Sequence, residues 1–172
     1  EMCIRDRLET NLSLEAFNAS RSKPSFFDAG GWEDGLRAAQ VGEDVEHAFI
    51  LIAGNNAYQR LDELRATGAP LVLSLDYPKA YDVSDPYTSR LVGLDELKHW
   101  ELAPANAARV HAAGIEFALT ADGLESPMGI RSAVWTSMRH GLPEAAALAA
   151  LTEIPAKSVS YTHLRAHETR SY

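Results

Sequence analysis

The sequence predicts an α/β fold built on a parallel sheet. Short apolar runs alternate with helical segments, the runs are continuous in their apolar residues, and each stops at small or polar residues. A strand covered on both faces needs apolar side chains at every position, so continuous runs read as strands buried on both sides.

The first run is PSFFDAGG from Pro24, followed by the helical segment WEDGLRAAQVG. The second is AFILIAGNN from Ala48, followed by AYQRLDELRATG, which sets Ala57, Leu61 and Leu64 at helical spacing and ends at Gly68 as a C-cap. The third, APLVLSLDYP from Ala69, leads into KAYDVSDPYTSRLVGLDEL, Lys79 to Leu97. That stretch is long and rich in Asp, Tyr and Pro, which suits a loop over an active site better than a connector. The helical segment ELAPANAARVHAAG then precedes the fourth run, GIEFALTADG from Gly114. Two helices follow, GIRSAVWTSMRHG and PEAAALAALTE, the second with Pro143 at a first-turn position. Strands alternating with helices imply a (β/α)8 barrel or a doubly wound sheet, and four strands are half of a barrel.

Both ends read as sequence foreign to this fold. HLRAHE sets His163 and His167 four apart beside Glu168, a spacing that suits two imidazole ligands of zinc. Yet Val159–Thr169 looks like a translation of a transposase-type DNA-sequencing adapter, and EMCIRD with Arg7 like the same oligonucleotide on its reverse complement. Glu1–Arg7 and Ser158–Tyr172 (residues 1–7 and 158–172) are therefore set aside as adapter-derived, with His163, His167 and Glu168. Leu8–Lys157 (residues 8–157) is read as an open-reading-frame fragment.

The 172 residues carry a net charge of −8, and the retained segment about −9, which argues against a nucleic-acid partner. The single cysteine, Cys3, lies in the excluded part, so the retained segment has no disulfide and no thiolate metal site. No run approaches membrane-spanning length, and 46% hydrophobic composition suits one globular core. Compartment and oligomeric state are not legible.

In a parallel α/β fold functional groups gather where strands end and βα loops begin. Those ends hold Asp28, then Asn55 and Asn56, then Asp76 and Tyr77, and finally Thr120 and Asp122. Asp76 and Tyr77, before Pro78, line a pocket or form the turn that proline enforces. Asn55 and Asn56 offer amide hydrogen bonds to a polar substrate or cap the helix beginning near Ala57, and the cap is preferred for Asn56. His47, His111 and His140 read as structural or exposed. His99, beside Trp100, stands where it could face substrate, although the structural reading is preferred.

The run GIEFALTADGL followed by GLPEAAALAALTEIPAK resembles the C-terminal half of the amidohydrolase superfamily, in particular its imidazolonepropionase-like branch. There the last barrel strand ends in Asp-Gly and an alanine-rich helix closes on Thr-x-x-Pro-Ala, here Thr152, Pro155 and Ala156. The resemblance covers nearly all of Leu8–Lys157. It implies a partial (β/α)8 TIM barrel, roughly the last four βα units plus a C-terminal helix. It also implies a metal-dependent hydrolase that cleaves C–N bonds of linear or cyclic amides in a small-molecule substrate, with a divalent ion, zinc by preference, in the full-length parent.

By the same resemblance Asp122 is the strand-end carboxylate that touches the metal and takes the proton of its water. The plainer reading, a turn made with Gly123, is outweighed because position and following helix agree. Histidines usual at the middle strand ends are replaced by Asp28, which could serve a hard metal, and by Gly54, which cannot. The His-x-His of the family's first strand would lie upstream of Leu8. A catalytically degenerate barrel that binds a ligand is the alternative.

Overall fold

The computed structural model describes residues 11–20, 23 and 25–159. Glu1–Arg7 and 160–172, most of the stretches assigned to adapter sequence, lie outside them. The elements run α1 (Leu12–Ala19), β1 (Ser25–Asp28), α2 (Trp32–Asp44), β2 (Phe49–Ile52), α3 (Leu61–Thr67), β3 (Leu71–Ser74), α4 (Leu94–Leu102), α5 (Asn106–Ala112), β4 (Phe117–Thr120), α6 (Ile130–Arg139), α7 (Glu144–Leu151) and α8 (Glu153–Ser158). The sheet has four strands in the order β1-β2-β3-β4, every pair parallel. Order and polarity are those of consecutive βα units, so the α/β expectation holds, as a partial TIM-barrel-like fold. Among the described residues no helix is long and apolar enough to cross a membrane.

Register separates the two faces of the sheet. Phe27, Leu51 and Leu71 stand abreast, as do Leu71 and Phe117, and Leu73 and Leu119. On this face Leu51, Leu71, Leu73, Phe117 and Leu119 are buried, joined by Leu64 of α3 and Val110 of α5 in one core. The opposite face carries Phe26 abreast of Ile50, then Asp28, Ile52, Val72 and Ala118 in a row. Here Phe26 and Asp28 are exposed and Ile52 and Val72 only half-buried. Expected burial on both faces is thus met along most of the helix-covered side, and on the other side only by Ile50 and Ala118. The apolar side chains of β1 are the clearest departure, with Phe26 48% and Phe27 37% exposed. A strand at the sheet edge lacks one neighbour and part of its cover.

Several helix boundaries move. AYQRLDELRATG is split: Ala57–Gln59 forms a 3-10 turn, and Arg60, with φ −141° and ψ 54°, breaks the helical path before α3 begins. The chain still leaves α3 through Gly68 at φ 65°, the left-handed conformation that favours glycine. The stretch from Lys79 is not loop to its end, because α4 starts at Leu94. Glu96 accepts a hydrogen bond from the Gly93 N–H at 2.8 Å and so satisfies one free donor of that helix start. Pro143 sits one residue before α7, as its N-cap, rather than inside its first turn.

Candidate active site

The ends of β2, β3 and β4 are knitted together by side chains at or just past those ends. Ser74 donates its hydroxyl to the Asp122 carbonyl at 2.8 Å and accepts the Asp76 N–H at 3.1 Å. Thr120 accepts the Asp122 N–H at 3.2 Å. Asn55 donates its amide to the Asp76 carbonyl. These four bonds fix the backbone of Asp76 and Asp122 on adjacent strand ends. The exposed Asp122 carboxylate has no hydrogen-bond partner among the described residues.

Gly123 makes this approach possible. At φ +85° it lies so close to Asp76 that a Cβ there would stand 2.9 Å from the Asp76 Cβ and 3.0 Å from its Oδ2. Any larger residue would drive the two turns apart. Beside them Lys79 pairs with Glu125 on the surface. Lys79 is held above the ordinary lysine range, first by its hydrogen bond to Glu125, then by that carboxylate's charge, with a smaller contribution from Asp76.

The other predicted residues are placed differently. Tyr77 is half-buried and hydrogen-bonds Ser137 on α6, so its hydroxyl ties the β3 loop to that helix. Burial pushes its phenol upward from the ordinary tyrosine value, and the Ser137 bond partly offsets the rise. Asn56 does cap a helix, but not the one expected. Its Oδ1 accepts the Trp32 N–H at 3.1 Å and so caps α2, while its own 3-10 turn receives no side-chain cap. Asp28 uses one oxygen on the Gly30 N–H at 3.3 Å.

Asp28 stands on β1 and Asp122 follows β4, with two strands between them. Three interstrand spacings amount to about 14 Å along a flat sheet. Asp122 also lies four residues beyond Ala118, which shares a row with Asp28. Only barrel curvature could bring both carboxylates toward one ion. Zinc in a catalytic site takes three protein ligands and keeps a fourth position open. Among the described residues no group of three or more His, Cys, Asp or Glu side chains is placed to hold a metal ion. These residues do not by themselves fit the metal.

Gly54 closes off the end of β2. It has φ +60°, and a Cβ there would meet the Gly30 carbonyl oxygen at 2.3 Å. No ligand side chain can stand at that position without moving the β1 loop.

A second cluster lies just past β2, and the strand-end inventory missed it. The Tyr58 hydroxyl is 3.1 Å from His99 Nδ1 with the rings stacked at 6.1 Å, and the Arg109 guanidinium lies 5.7 Å from the Tyr58 ring centre. Buried Asn106 accepts the Tyr58 N–H at 2.8 Å. Burial lowers the His99 imidazole below its ordinary value, favouring the neutral ring. His47 is 5% exposed, packed edge-on to Phe49 at 4.9 Å, consistent with a structural role.

The fold is similar to a crystallised amidohydrolase from Thermotoga maritima, with a TM-score of 0.63 and 23% sequence identity over 89% of this chain. The chain spans 37% of that protein's length. At this identity the likeness is one of fold. No protein-family description and no curated protein sequence matches the chain.

Proposed function

We propose that the chain is part of a hydrolase acting on carbon–nitrogen bonds other than peptide bonds, with Asp122 as the carboxylate that handles the proton of the attacking water. The observation that carries this reading is the pinned backbone of Asp122 beside a carboxylate with no partner of its own. A base must be oriented yet uncommitted to take a proton. In the proposed reaction water oxygen bonds to the amide carbon as one of its protons passes to Asp122. The same proton then goes to the departing nitrogen as the C–N bond breaks. Asn55, Asp76 and Tyr77 are the proposed substrate-side residues, although Asn55 and Tyr77 already spend polar groups on the scaffold.

A metal-dependent form of this chemistry, as in the imidazolonepropionase-like branch, would need donors beyond the described residues to join Asp122 and Asp28. The test is Asp122→Ala in a chain carrying the complete barrel, assayed on a panel of small linear and cyclic amides. Hydrolysis by the parent and its loss in the variant support the reading. Equal turnover by both overturns it.

Gly54 favours a second reading, a barrel that binds a small molecule without turnover, because the end of β2 has no room for a ligand side chain. That reading predicts binding by the parent with no hydrolysis of any amide in the panel.

A further inference from the structure

A hydrogen-bonded run of side chains crosses from α2 to α4 with a single polarity. Trp32 Nε1 lies 3.1 Å from Gln59 Oε1, Gln59 Nε2 lies 3.4 Å from the Tyr58 hydroxyl, and that hydroxyl lies 3.1 Å from His99 Nδ1. An indole N–H only donates, so Gln59 turns its oxygen to Trp32 and its amide nitrogen to Tyr58. That nitrogen also only donates, so the phenol oxygen accepts from it and sends its own hydrogen to His99. Nδ1 then carries no proton, and His99 is the neutral tautomer with its hydrogen on Nε2. We propose that His99 on Tyr58 is an acid-released latch, holding α4 and the segment that leads into it only while the imidazole is neutral.

The two sides of the latch are unequally fixed. Tyr58 is anchored through its N–H, which donates to buried Asn106 at 2.8 Å. His99 rides on α4, whose first-turn bond from the Gly93 N–H to Glu96 is internal to the helix. A proton on Nδ1 removes the acceptor. Reversal would have the phenol oxygen accept from both neighbours and leave its own hydrogen outside the run. It would also set an imidazolium and the Arg109 guanidinium against one phenol ring. The elements around His99 bring no carboxylate to offset this: the 3-10 turn carries Tyr58, α5 carries Arg109 and His111, and Ala103–Ala105 has no charged residue. Arg60 faces Trp32 and Glu63 instead. On α4 itself Asp95 and Glu96 stand one turn earlier, Glu96 already accepting the Gly93 N–H. Burial of the ring also favours the neutral form. Release would free the far end of a segment whose near end, Lys79 paired with Glu125, sits beside the Asp76 and Asp122 turns. The latch does not depend on the proposed chemistry.

The test is NMR of the 172-residue chain across the His99 titration. Ring-nitrogen shifts above the midpoint should place the hydrogen on Nε2. Amide exchange in α4, corrected for the intrinsic effect of pH, should quicken about tenfold as pH falls through that midpoint, while β3 amides hold steady. Tyr58→Phe and His99→Gln should each abolish this step. A hydrogen on Nδ1 above the midpoint overturns the inference. So does α4 exchange without a step in the parent, or a step that survives in either variant.

Discussion

Gly54→Ala tests the strand-end geometry most sharply. The backbone there has φ +60°, and the added carbon would sit 2.3 Å from the Gly30 carbonyl oxygen, over an ångström inside normal contact. Two costs combine. Left-handed conformation costs an L-residue about 1–2 kcal/mol, partly offset by about 0.4–1 kcal/mol of lost freedom in the unfolded chain. Relief of the clash requires moving backbone, comparable to overpacking at about 1–3 kcal/mol. Gly68→Ala is the internal control, since Gly68 has φ +65° but nothing within 4 Å of its would-be Cβ. The control should lose about 1 kcal/mol and Gly54→Ala about 3 kcal/mol, read from guanidinium unfolding midpoints at constant slope. Equal losses in the two variants would refute the close approach of the β1 and β2 loops. They would also reopen position 54 to a ligand side chain.

Other outcomes follow from the same contacts. Leu64→Ala, at a fully buried position, should cost about 2.7–5 kcal/mol in the same unfolding experiment. Tyr77→Phe should cost about 1 kcal/mol by removing its bond to Ser137. Because the folded phenol titrates above the free value of 10.0, its contribution is complete below that pH and fades as pH rises toward the folded value. Alkaline unfolding curves should show this fading in the parent and not in Tyr77→Phe. His99, lowered from 6.5 by burial, stabilises the fold above that pH and loses its contribution as pH falls through the folded value. Imidazole NMR titration should place its midpoint below the free value of 6.5, and a midpoint at or above that value would refute the burial argument.

The sheet was legible because burial against helices demands apolar residues at consecutive positions, as in FILI and LVLS. The same runs concealed which face was covered. Register decides that, and Phe26 looks no different from Leu51 in a composition window. α1 escaped because Leu12, Leu14 and Phe17 are all exposed, so no core-facing period marks it; its one local signal is Asn11, whose side chain accepts the Ser13 and Leu14 N–H groups. Asp122 and Asp76 were legible from position alone. Their mutual fit was not, because it depends on Gly123 against a residue 47 positions earlier. Tyr77 and Ser137 are likewise joined across 60 residues, beyond any local pattern. Asn56 did announce a cap, but which helix it caps depends on how the β1 and β2 loops meet.

The central claim rests on the Asp122 carboxylate, and turnover by Asp122→Asn in a complete-barrel protein tests it most directly. The asparagine keeps the size and the backbone bonds to Ser74 and Thr120 but cannot accept the proton. A fall in kcat of about 10²–10⁴ with an unchanged melting temperature is the predicted result. Undiminished kcat in that variant would contradict the account.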